Sequence, residues 1–93
     1  MWAMPLTVPA RLALAPAVNT AARRFGERRN WSEPQIRAFQ AAARAGLGMV
    51  VSLSISALLA DPVAAGESVV WAVYEAWDPI TGLFVSEIIV ADP

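Results

Sequence analysis

The sequence predicts an α+β domain: an N-terminal extended arm or edge strand, one or two short helices, then a three-stranded antiparallel β-meander packed on the helix. Three observations carry this. Apolar residues recur at helical spacing only between residues 17 and 46, a helix-start signature stands at Ser32–Gln35, and beyond Gly48 the apolar period drops from 3.6 to two. Ninety-three residues hold one small domain. It divides into an arm at 1–16, a helical part at 17–46 and the meander at 47–93.

In the arm, Pro5, Pro9 and Pro16 argue against a long helix. Leu6, Val8, Ala10, Leu12 and Leu14 alternate with Thr7, Pro9, Arg11 and Ala13, as in an extended strand, which the prolines confine to a sheet edge or an arm. Residues 17–29 then place Val18, Ala21, Ala22 and Phe25 on one face of a short helix, with Arg23, Arg24, Arg28 and Arg29 largely off that stripe. Gly26 weakens this helix.

The strongest local signal is Ser32-Glu33-Pro34-Gln35: an N-cap serine, an acid and a proline in the first turn, and Gln at N3. Trp31 and Ile36 flank it as a hydrophobic staple, and Glu33 and Arg37 form an i,i+4 pair. A helix over about 33–45 follows, with Gly46 in the left-handed position that ends it.

Three strands complete the expectation. Val51, Leu53, Ile55 and Ala57 alternate with Ser52, Ser54 and Ser56, and Asp61-Pro62 with Gly66 reads as a loop. Glu67–Trp77 and Leu83–Ala91 are the second and third strands, joined at Asp78-Pro79-Ile80-Thr81-Gly82 by a four-residue loop on a type I turn. In that register Asp78 opposes Leu83 and Trp77 opposes Phe84. One face carries Trp71, Val73, Trp77, Phe84, Ile88 and Val90; the other pairs Tyr74 with Glu87 and adds Val70, Ala72, Val85 and Ile89. Glu75 points toward the aromatic face. The second face is apolar enough to need a cover from the arm or from another chain.

Composition narrows the function. The chain has no His and no Cys, and its seven basic residues are all Arg. A disulfide framework, a Cys/His zinc site, a Cys nucleophile, His acid–base catalysis and lysine Schiff-base chemistry are therefore outside its reach. No Gly-rich phosphate loop, nucleophile elbow or metal-ligand spacing occurs, so neither an enzyme nor a cofactor is expected. The stretch Arg44–Ala65 imitates a secretory signal, but it starts deep in the chain and cleavage there would leave only 28 residues. Its apolar run is too short to span a membrane, and a cytoplasmic protein is expected.

Charge is divided along the chain. Residues 1–60 hold all seven Arg against Glu27 and Glu33, net +5; residues 61–93 hold six acids and no base, net −6. Such asymmetry either neutralises itself within the fold or between subunits, or marks a contact surface. The composition favours contact: 57% of residues are apolar and 16% charged, and four are Trp. Trp31 is accounted for by the staple and Trp71 and Trp77 by the sheet. Trp2 and Met4, on the proline-punctuated arm, have no local explanation. The expectation is a non-enzymatic interaction or assembly subunit, homo-oligomeric through its sheet and apolar arm. The alternative is a small inhibitor or adaptor that binds a larger protein or nucleoprotein through its Arg-rich helices or acidic strands; a nucleic-acid-binding protein stands third. Candidate contact residues are Trp2, Met4, Arg23, Arg24, Arg28, Arg29, Tyr74 and Glu87.

Overall fold

The computed structural model describes residues 4–52 and 55–90, with side-chain surroundings for 6–51 and 58–90. Helices dominate it. In chain order the elements are β1 (Met4–Pro5), α1 (Val8–Arg28), α2 (Glu33–Leu47), β2 (Val50–Ser52), α3 (Ile55–Ala60), α4 (Pro62–Ala76) and β3 (Ile88–Val90). Strands β2 and β3 run parallel, pairing Val50 with Ile88 and Ser52 with Val90, and the two-residue β1 adds to β2 antiparallel. A parallel pair needs a long crossover; here it is α3 and α4. The expected three-stranded antiparallel meander is not formed.

The correction has a readable cause in each element. An apolar run of period two also contains a stripe of period four, and α1 uses the latter. Ala10, Leu14, Val18, Ala22 and Phe25 are buried while Leu12 is exposed. Thr7 caps the helix by accepting from the Ala10 amide at 3.3 Å, and Pro9 sits in the first turn, where no amide donor is needed. Pro16 lies inside the helix on its exposed side. Among the described residues, the expected arm is thus a two-residue edge strand followed, after Thr7, by the first turns of a helix.

Residues expected to form the second strand belong to α4. Ala65, Gly66, Val69, Val70, Val73 and Ala76 are buried together, and the adjacent pair Val69–Val70 could not both face inward from a half-buried strand. Asp61-Pro62, read as a loop, is this helix's start: the Asp61 carboxylate accepts from the Ala64 amide at 3.2 Å and Pro62 occupies the first turn. Among the described residues, the first expected strand survives only as Val50–Ser52, since residues 55–60 are helical. Of the hairpin, the turn itself is present. Asp78 N–H donates to the Leu83 carbonyl at 2.8 Å, Gly82 has φ +73°, and Trp77 bridges Phe84. The strands that would extend it are absent, because Trp77 ends a helix.

Helix α2 begins as its cap signature predicts, with the Ser32 hydroxyl accepting from the Gln35 amide at 3.3 Å. It does not stop at Gly46. That residue is buried inside the helix, where a Cβ would lie 2.8 Å from Ile88 Cδ1, and Gly48 forms the cap with ordinary helical φ. Phe39, Ala43 and Leu47 complete one core with the α1 and α4 stripes, Val50, Ile88 and Val90. The buried Gln40 amide donates to the Asn19 carbonyl at 3.1 Å, tying α2 to α1.

Candidate contact surface on helices α1 and α4

Helix α4 packs on α1 at unusually close range. A Cβ at Gly66 would sit 2.9 Å from the backbone carbon and oxygen of Ala17, so this crossing accommodates only glycine without a shift. Beside it the small residues Pro16, Ala17 and Ala21 leave a groove of about 280 Å³, walled on the α4 side by Val63 and Glu67. Thr20, Arg24 and Arg28 form the α1 wall. A smaller depression continues from it past Phe25 to Val70 and Trp71.

The groove ends at an aromatic cluster. Phe25 meets Trp71 edge-on, with ring centroids 5.2 Å apart at 85°, and Tyr74 lies 4.8 Å from Phe25. The Arg29 guanidinium stacks 3.4 Å over the Phe25 ring and lies 5.3 Å and 5.4 Å from the Trp71 and Tyr74 rings. Phe25 is buried, whereas Trp71 is 50% and Tyr74 39% exposed. One edge of the pair is held by the core and the other faces outward. Such cation–π stacking contributes about 0.5–1 kcal/mol at an exposed site.

The remaining arginines divide by their partners. Arg23 donates to both oxygens of Glu33, one at 3.1 Å, and lies 4.0 Å from Glu27. That hydrogen-bonded pair holds the Glu33 carboxyl below its ordinary range and raises the Arg23 guanidinium, fastening α2 to α1. Arg37 lies 3.5 Å from Glu33, and Arg44 donates to the Asn19 side-chain oxygen at 2.8 Å. Arg24 and Arg28 make no hydrogen bond or ion pair among the described residues and face the groove. With Glu67 opposite, the groove carries a net charge of +1.

The candidate contacts therefore part ways. Arg24, Arg28, Arg29 and Tyr74 come together on one face; Arg23 is spent on the helix–helix tie. Glu87 is exposed just before β3, and, with 85–89 no longer paired to 70–74, it does not stand opposite Tyr74. Met4 lies in β1, its side chain outside the described surroundings, and Trp2 lies outside the described residues. Glu75 is exposed on α4. Trp71, assigned by sequence to a sheet interior, is a further candidate contact residue, half exposed on α4 beside Phe25 and Arg29. Its signal was the spacing Trp71–Tyr74–Glu75 opposite the buried 69–70–73–76 stripe.

No group of three or more potential metal-ligating side chains occurs among the described residues, and no described helix is long and apolar enough to cross a membrane. Comparison with protein-family models, curated proteins and solved structures finds no match to this chain.

Proposed function

We propose that this protein acts by contact rather than by catalysis, as an interaction or assembly subunit that binds protein through the α1/α4 face. The observation that carries the reading is the grouping of half-exposed Trp71 and Tyr74 with Arg29 at the end of an apolar groove whose Arg24 and Arg28 lack partners among the described residues. Trp, Tyr and Arg supply most of the large single-residue contributions at protein interfaces, above all where they flank a depression that excludes water. The sheet offers less surface than the sequence suggested, being only three residues long in β2 and β3. Nucleic-acid binding draws less support as well. Arg23, Arg29, Arg37 and Arg44 are engaged within the chain, which shortens the expected phosphate-binding stripe.

Native mass spectrometry of the protein isolated from its own host tests the proposal. The expected species is heavier than the 9.9 kDa chain, and Trp71→Ala or the pair Arg24→Glu/Arg28→Glu reduces it to 9.9 kDa with the helical circular dichroism intact. A complex that persists in both variants contradicts the assignment of this face, and a single 9.9 kDa species in the unaltered protein contradicts contact as the function.

A further inference from the structure

Resting on the reading of the α1/α4 face as a docking surface, we propose that its occupant is a second copy of this chain, which inserts the turn following α4. Residues 79–87 form an exposed apolar turn that carries one acid, Glu87, and is anchored by the half-buried Phe84. Ile80 is 93% exposed, and Leu83 and Val85 also present most of their surface to solvent, with Glu87 beside them and no basic residue anywhere in 61–93. The turn is pre-formed. Asp78 accepts from the Ile80 amide at 2.9 Å and from the Thr81 hydroxyl at 3.0 Å, while Gly82 N–H donates to the Asp78 carbonyl at 2.7 Å. Little conformational entropy is left to lose when such a turn docks.

The groove is its complement: Ala17 and Ala21 form an apolar floor beside the Val63 wall, and Arg24 and Arg28 opposite Glu67 leave it a net charge of +1. Its volume of about 280 Å³ leaves room for aliphatic side chains. A chain cannot fill its own groove. The groove flanks Val63 and Glu67 at the N-terminal half of α4, and the turn begins beyond Trp77. From Glu67 to the helix end at Ala76 is a rise of nine residues, about 14 Å along the axis. The contact is therefore between copies: each molecule offers one turn and one groove, which engage reciprocally in a twofold dimer or in succession around a ring or along a filament.

Sedimentation velocity from about 1 µM to about 1 mM, with two complementary variants, tests this. The turn variant is Ile80→Asp/Leu83→Asp, which leaves Asp78 and Gly82 in place. The groove variant is Arg24→Glu/Arg28→Glu, with the exposed Val63→Arg as its replacement should circular dichroism report a loss of helix. The unaltered chain is expected to associate with rising concentration, and each variant alone to associate at least about 30-fold more weakly. A mixture of turn and groove variants retains one intact groove and one intact turn, and is expected to form a 1:1 dimer and nothing larger. A monomeric mixture, a turn variant that associates like the unaltered chain, or an unaltered chain that stays monomeric throughout overturns the proposal. If native mass instead shows a partner of a different mass, lost in the groove variant but kept in the turn variant, self-docking falls and the face remains a protein-binding site.

Discussion

Two glycines illustrate how differently a missing side chain can matter. Gly82 is free of neighbours within 4 Å but holds φ +73°, a left-handed backbone that costs an L-residue about 1–2 kcal/mol. Gly66 has ordinary helical backbone but abuts the Ala17 main chain, which cannot rotate away. Substituting Ala there improves helix propensity by about 1 kcal/mol yet forces two helices apart, and overpacking of this kind costs about 1–3 kcal/mol or more. Gly66→Ala is expected to lower stability by up to about 2 kcal/mol net and to change the groove. Gly82→Ala should lower stability by a similar amount, about 1 kcal/mol, while leaving the groove unaltered. Urea denaturation measures both. A Gly66→Ala protein as stable as the original would show that the α1/α4 approach is slack. The role of Gly82 was legible in the sequence, where it fills the left-handed slot of the turn after Thr81; that of Gly66 was not, because it looked like a loop residue.

At the level of elements, the signals that told true were those made by hydrogen bonds close in sequence. The Ser32 cap and the Asp78–Gly82 turn depend on groups two to five residues apart, and both are present as anticipated. Strands were over-read because β-branched residues and alternation describe a local preference of about 1 kcal/mol, which burial readily overrides. Helix α4 carries Val63, Val69, Val70 and Val73 and is helical nonetheless, since that geometry brings a full stripe into the core. Its Asp61 cap has the same form as the Ser32 cap. Asp61→Ala is expected to cost about 1 kcal/mol, measured as a lower urea midpoint with unchanged slope. No change would mean that α4 is held by packing alone.

For the whole molecule, the cross-helix bond of Glu33 and the turn of Asp78 set a pH dependence. Both carboxyls sit below their ordinary values: Glu33 chiefly through the Arg23 hydrogen bond, Asp78 chiefly through the Ile80 amide. The unfolded chain therefore binds more protons than the folded one in the carboxylate range. Their contribution is complete above the ordinary carboxylate pKa, about 4, and is lost as pH falls through the depressed folded-state values. The urea midpoint should drop between pH 6 and pH 3, and less so in Glu33→Gln; an equal drop in that variant would assign the acid sensitivity elsewhere. High salt should weaken the Arg23–Glu33 tie, which is exposed.

The sequence by itself determined the absence of His, Cys and Lys chemistry, the division of charge, the Ser32 helix start and the tight turn at 78–83. Each depends on composition or on neighbours within a few residues. Only the tertiary structure decided that the two ambiguous apolar runs are helices, that β2 and β3 pair in parallel across a helical crossover, and that Arg24, Arg28, Arg29, Trp71 and Tyr74 share one face. Period two and period four coincide in a run this rich in apolar residues. The choice between them falls to burial against distant segments, which no local preference encodes.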